Sequence, residues 1–205
     1  EHAGRTGGLP FVGVGWYRLK FTAEGFEQGK RATILFDGAM SHARVYVNGE
    51  EVGYWPYGYN AFYFDITEQL KVGEVNELAV RLENETDSSR WYPGAGIYRN
   101  VHLIITEDVH IPVWGVQITT PKVTESLAQV VVRTKIDAPE GVDNKKCRLV
   151  TEIKDPEGKS VAVAEGGLNI YDNSLFEQCI DVANPELWSV DTPQLYTAST
   201  KLYVD

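Results

Sequence analysis

Ala43-Arg44-Val45-Tyr46-Val47-Asn48-Gly49-Glu50-Glu51-Val52 is the stretch that decides the fold. Ala43, Val45 and Val47 alternate with Arg44 and Tyr46, the period of two that sends one face of a strand into a core and the other into solvent. Asn48-Gly49 follows at once. Both residues accept positive φ, which a two-residue hairpin turn requires, and a second run begins at Val52. The same alternation predicts strands at 16–21, 33–37, 61–64, 77–82 and 101–106. One short helix is expected over 66–70, with Asp65 or Thr67 able to cap it. No longer window holds a convincing helical period, so the chain reads as all-β.

The strand rhythm breaks at Thr106-Glu107-Asp108-Val109-His110-Ile111-Pro112, which divides the chain into parts 1–110 and 111–205. Seventeen of the 23 Trp, Tyr and Phe residues precede the break, so the two parts need different cores. The second part reads as six short strands at 113–119, 128–136, 146–154, 160–164, 175–182 and 195–204. Asp155-Pro156-Glu157-Gly158 is a tight turn between two of them, because Pro fixes φ and Gly supplies freedom. Short strands at this spacing over about 100 residues indicate an immunoglobulin-like sandwich. A strand at 195–204 without a hairpin partner would leave an open edge, so the natural polypeptide is expected to continue beyond it.

Composition narrows the function. The 205 residues are 43% apolar and 23% charged, with a net charge of −10, and each part carries −5. Neither part has a basic stripe, which argues against nucleic acid and against an anionic membrane surface as partners. No apolar stretch approaches the roughly 18 residues of a membrane-spanning helix. The compartment stays open, with a periplasmic or secreted location favoured over the cytoplasm. Cys147 falls on the inner face of its strand and Cys179 on the outer, so both read as free thiols rather than a disulfide.

Little in the chain looks catalytic. His2, His42, His102 and His110 sit in unrelated contexts, there is no Gly-x-Ser-x-Gly elbow, and His102 reads as an outward-facing strand residue. No grouping has metal-site spacing, and no cofactor is expected. Asp37, Asp65, Asp87 and Asp137 could help to hold calcium, but no EF-hand loop frames them. Two aromatic loops stand out: Tyr54-Trp55-Pro56-Tyr57-Gly58-Tyr59, and Ser89-Arg90-Trp91-Tyr92-Pro93-Gly94-Ala95-Gly96-Ile97-Tyr98-Arg99. Loop aromatics beside Gly and Pro can offer flat apolar faces to sugar rings, which makes Trp55 and Tyr57 a candidate platform. The competing reading is that they pack a sandwich end or meet another domain.

At these residues the sequence resembles the N-terminal region of family 2 glycoside hydrolases, the β-galactosidase and β-glucuronidase group. The resemblance runs through Gly13-Val14-Gly15-Trp16-Tyr17-Arg18, Phe36-Asp37-Gly38, Val45-Tyr46-Val47-Asn48-Gly49, Phe64-Asp65-Ile66-Thr67, the segment 90–99, and Asn184-Pro185-Glu186-Leu187-Trp188-Ser189. It implies a galactose-binding-like jelly-roll β-sandwich over 1–110, short of its first strand. An immunoglobulin-like β-sandwich over 111–205 follows, short of its last strand, and then a (β/α)8 barrel. In that family both working glutamates sit on the barrel and act through a covalent glycosyl intermediate. No residue here inherits either role, so the fragment is expected to be silent on its own.

The resemblance further implies a carbohydrate substrate reached through the barrel, intramolecular docking to that barrel, and homo-oligomers of the full-length enzyme. Arg90, Trp91 and Tyr92 resemble the family segment that approaches the barrel mouth, and they are the expected substrate contacts. Some β-galactosidases place an acidic side chain there, where this chain has Arg90. Asn48 and Asp65 match motif positions but read as turn and cap residues. A stand-alone carbohydrate-binding module and a structural or adhesive sandwich tandem remain the alternatives.

Overall fold

The computed structural model describes residues 13–84, 95–139, 145–170 and 174–204. Its described residues form fifteen strands and a single turn of 3-10 helix. They divide into two compact units, Glu1–Glu107 and Asp108–Asp205.

The first unit runs β1 (Gly13–Thr22), β2 (Arg31–Phe36), β3 (Ala39–Met40), β4 (Ala43–Val47), β5 (Glu50–Trp55), β6 (Phe62–Asp65), the 3-10 turn Thr67–Gln69, β7 (Val75–Asn84), β8 (Gly96–Ile97) and β9 (Val101–Thr106). One sheet has the order β1-β7-β4-β5 and a second β6-β2-β9, while β3 and β8 make a short third pair. Strands distant in sequence lie side by side, the mark of a jelly-roll-like sandwich rather than a meander. The alternation read from the sequence supplies the core: Val45, Val47, Val80 and Leu82 of one sheet meet Ala32, Ile34, Phe36 and Phe62 of the other. Phe36 and Phe62 are 0% and 2% exposed and stack at 4.9 Å. Burial of each such ring is worth about 2–3 kcal/mol.

The Asn48-Gly49 turn has φ of 51° and 91°, and Val47 pairs directly with Glu50. The second run therefore starts two residues before Val52. A register shift between Val45 and Tyr46 then places Val45 opposite Gly53 and Tyr46 opposite Glu51, leaving Val52 unpaired. That bulge is why the apolar alternation restarts at Val52 in the sequence. The expected helix is a single 3-10 turn, with the Thr67 amide donating to the Asp65 carboxylate at 2.8 Å. The pair β3–β8 is two residues long and leaves no periodic trace in the sequence.

The turn is also pinned from below. Asn48 donates to the Gln69 carbonyl and to Asn76 Oδ1, both at 2.7 Å, and accepts from the Glu77 amide. Asn76 is fully buried, accepts from the Lys71 amide and donates to the Lys71 and Glu74 carbonyls.

The second unit runs β10 (Val116–Val123), β11 (Leu127–Ile136), β12 (Lys145–Lys154), β13 (Ser160–Ile170), β14 (Ser174–Ala183) and β15 (Thr197–Val204), in sheets β10-β11-β14 and β13-β12-β15. β10 begins later than its expected start at 113, because residues 112–115 form a turn: the Gly115 amide donates to the Pro112 carbonyl, and Trp114 takes φ of 57°. β13 runs on through Gly166-Gly167, where the sequence reading stopped. The 155–158 turn forms, with the Gly158 amide donating to the Asp155 carbonyl. Val130, Val132, Ile153, Ile180 and Val182 make the core. The Glu186 amide donates to the Tyr196 hydroxyl at 2.9 Å, which ties the segment after β14 to the start of β15. Cys147 is buried, Cys179 is exposed, and neither forms a disulfide.

Candidate functional site

One end of the first unit gathers the aromatic loop between β5 and β6. Trp55 and Tyr57, neighbours in the sequence reading, do different things there. The Trp55 ring stacks on Phe62 at 5.8 Å, and its indole N–H donates to Asn60 at 3.1 Å, so Trp55 closes the core's aromatic stack. Tyr57 is 56% exposed and leans on Tyr59 at 5.5 Å, with the second ring 48% exposed.

Glycines hold this end tight. A Cβ on Gly58 would lie 2.7 Å from Met40 Cγ, and one on Gly38 would lie 2.6 Å from the Tyr98 ring. The hydroxyl end of Tyr98 therefore passes close over Gly38 and donates its proton to the Gly58 carbonyl at 2.7 Å. His42, at φ of 49°, donates its amide to the Pro56 carbonyl, and its Nδ1 lies 2.6 Å from the Tyr54 hydroxyl. The sequence marks the loop but not its partners: the β4–β5 hairpin brings His42 beside it, and Met40 and Tyr98 arrive from the β3–β8 pair and its flank.

Arg90, Trp91 and Tyr92 lie outside the described residues. Asn84, the last described residue before that segment, ends β7, and Gly96, just after it, pairs with Met40 of β3.

The remaining candidates have ordinary duties. Asp37 and His102 form an exposed pair at 2.9 Å, the Asp65 carboxylate accepts from the Thr67 amide just before the 3-10 turn's N-cap Ile66, and Asp137 pairs with Lys135 at 2.8 Å. Asp87 lies outside the described residues. Among the described residues no cluster of His, Cys, Asp and Glu could hold a metal ion. Among the described residues two groups have displaced pKa values: the hydrogen bond from Arg81 holds Glu83 below the ordinary carboxylate value, and the bond to Glu51 pushes the Tyr46 hydroxyl up.

The described residues thus form a jelly-roll-like sandwich with an aromatic end, followed by an immunoglobulin-like sandwich. The family comparisons bear directly on this. The family model "Glycosyl hydrolases family 2, sugar binding domain" matches residues 10–107, and "Glycosyl hydrolases family 2" matches 109–205. The chain belongs to glycoside hydrolase family 2.

A β-galactosidase, BoGH2A, from Bacteroides ovatus is 40% identical over 98% of this chain and 24% of its own length. A β-glucuronidase from Formosa agariphila is 31% identical over 90% of this chain and 21% of its own. A family 2 glycosyl hydrolase from Bacteroides cellulosilyticus superposes with a TM-score of 0.89 at 37% identity, over 94% of this chain and 25% of that one. The chain thus spans about a quarter of the length of the relatives it matches.

Proposed function

We propose that these residues are the non-catalytic front of a retaining, β-galactosidase-like glycoside hydrolase, and that they support and partly wall an active site built on a barrel elsewhere in the polypeptide. The observation that carries this reading is the order of the two family matches along a chain about a quarter as long as its relatives. The work of such a front is positional: a stiff β scaffold fixes one side of the sugar pocket.

Among the described residues, two open apolar grooves support the wider polypeptide. In the first unit, Tyr17 and Leu19 of β1 and Val101 and Leu103 of β9 point inward yet line an open groove of about 320 Å³. In the second, Ile118 of β10 and Ala198 of β15 flank another of about 340 Å³. Each has the form of a place for one further strand, the first completing a jelly roll over 1–110 and the second an immunoglobulin-like sandwich over 111–205.

Arg90, Trp91 and Tyr92 are the proposed substrate contacts of this front, and Tyr57 and Tyr59 offer exposed rings as a further candidate. Trp55 ends β5 beside the loop of Tyr57 and Tyr59, and its ring is committed to the Phe62 stack. Hydrolysis of a chromogenic β-galactoside tests the reading: the folded 205-residue chain is expected to give no turnover and the longer polypeptide to give it. Turnover by the short chain defeats the proposal. In the longer polypeptide, Trp91→Ala is expected to raise KM more than it lowers kcat, and unchanged kinetics would remove Trp91 from the pocket.

A further inference from the structure

The outer face of the sheet β1-β7-β4-β5 carries a side-chain lattice that the core does not use and that meets the aromatic end only at Tyr54. Register places Trp16 beside Arg81, Arg81 beside Arg44, and Arg44 beside Tyr54, so one row crosses all four strands. The next row is Arg18, Ala79, Tyr46 and Glu51. Trp16 leans on Tyr46 at 5.5 Å, the Arg18 guanidinium lies 5.3 Å from the Trp16 ring centre, and that of Arg44 lies 4.7 Å from Tyr54. Every arginine of the lattice has its own carboxylate: Arg18 with Glu77 and Arg44 with Glu51, both at 2.8 Å, and Arg81 with Glu83. Even so, Trp16 and Tyr54 remain 49% and 41% exposed.

Trp, Tyr and Arg are the residues that carry most energy at protein interfaces. Here the charges are balanced in place, so covering the face strands no unpaired ion. Stacking and ion pairing already hold the long side chains, which lowers the ordering cost of contact. A sugar ring would need the aromatic faces open, but two of them lie under guanidinium groups, so the chemistry fits a protein surface better.

Size selects among protein partners. Four strands about 4.8 Å apart, used over about 20 Å, give a footprint of about 300 Å². A free-standing complex needs about 800 Å² per partner. Interfaces between domains of one chain start at about 600 Å² in total, or about 300 Å² a side.

We propose that this face is the dock for another domain of the same polypeptide, with Trp16 and Tyr54 as its anchors. The proposal rests on the reading that a catalytic domain accompanies these units, and it names the surface that domain covers.

Hydroxyl-radical footprinting of the full polypeptide, read residue by residue by mass spectrometry, tests it. Trp16 and Tyr54 are expected to oxidise at least about tenfold more slowly than the same residues in peptides from the digested protein, as anchors shielded from water do. Oxidation at the rate of half-exposed rings overturns the proposal. Protection that disappears on dilution, as subunits separate, assigns the face to a second copy and also overturns it.

A Trp16→Ala/Tyr54→Ala double variant is expected to speed proteolytic separation of the first unit from the remainder by about tenfold or more, with hydrogen exchange in β4 and β7 unchanged. An unchanged cleavage rate counts against the dock. If the full polypeptide shows protection but no glycosidase activity, the dock stands and the functional reading falls. Activity without protection is the converse.

Discussion

Replacing Asn76 with alanine should cost the first unit about 3–4 kcal/mol. Asn76 is 0% exposed and makes four hydrogen bonds: it accepts from the Lys71 amide and from Asn48, and it donates to the carbonyls of Lys71 and Glu74. A neutral bond contributes about 1 kcal/mol net, and a buried partner left unsatisfied costs at least that much. Asn48 keeps its bond to the Gln69 carbonyl, which places the total nearer 3 than 4 kcal/mol.

The Asn48→Gly variant separates the staple from the turn. Glycine keeps the positive φ but loses three side-chain bonds, so about 2–3 kcal/mol is expected. The double variant should fall short of additivity by about 1 kcal/mol, the worth of the shared Asn48–Asn76 bond. Urea unfolding followed by tryptophan fluorescence reads all three, since Trp16 and Trp55 report on the first unit. An Asn76→Ala cost below about 1 kcal/mol would refute the claim that this amide ties the hairpin turn to the 3-10 segment.

Further expectations follow from individual contacts. A Cβ on Gly53 would overlap the Phe64 ring, so Gly53→Ala should cost about 1–3 kcal/mol by overpacking, measured as a lowered urea midpoint at unchanged slope. In the second unit, Gln178 accepts from the buried Thr151 hydroxyl at 2.6 Å and donates to the Ala164 carbonyl. Gln178→Leu should cost about 2 kcal/mol in that unit's transition and leave the first unit's in place. Tyr46 has a raised folded pKa, so the stability it contributes is complete below its ordinary value of 10.0 and is lost as pH rises through the folded value. Glu51→Gln should bring the phenolate absorbance transition back toward 10.0, and no movement would exclude Glu51 as the cause. Glu83 runs the opposite way: its contribution is present above 4.5 and is lost as pH falls through its lowered folded value. Glu83→Gln should therefore flatten the acid limb of the stability profile.

Much of the fold was legible because its signals are local. Asn48-Gly49 dictates its turn through φ alone, and alternation over five or six residues marks β2, β4, β7 and β9 without knowledge of their partners. The errors came where local pattern and pairing part company. The bulge opposite Val52 moved the apparent start of β5, the 112–115 turn delayed β10, and Gly166-Gly167 hid the second half of β13. Cross-strand neighbours were out of reach, because register is a property of two strands at once. The lattice of Trp16, Arg81, Arg44 and Tyr54 draws on residues up to 65 positions apart, and nothing in any one strand announces it. The aromatic loop was found as a cluster, yet its division into a core-closing Trp55 and an exposed Tyr57 depends on Phe62, which arrives from the next strand.

A covalent trapping experiment on the full polypeptide tests the central claim most directly. A fluorinated galactoside that stalls the glycosyl-enzyme should leave its adduct on a glutamate outside these 205 residues, with none on the carboxylates within them. An adduct mapped to any Asp or Glu between residues 1 and 205 would contradict the assignment of these two sandwiches to a non-catalytic front.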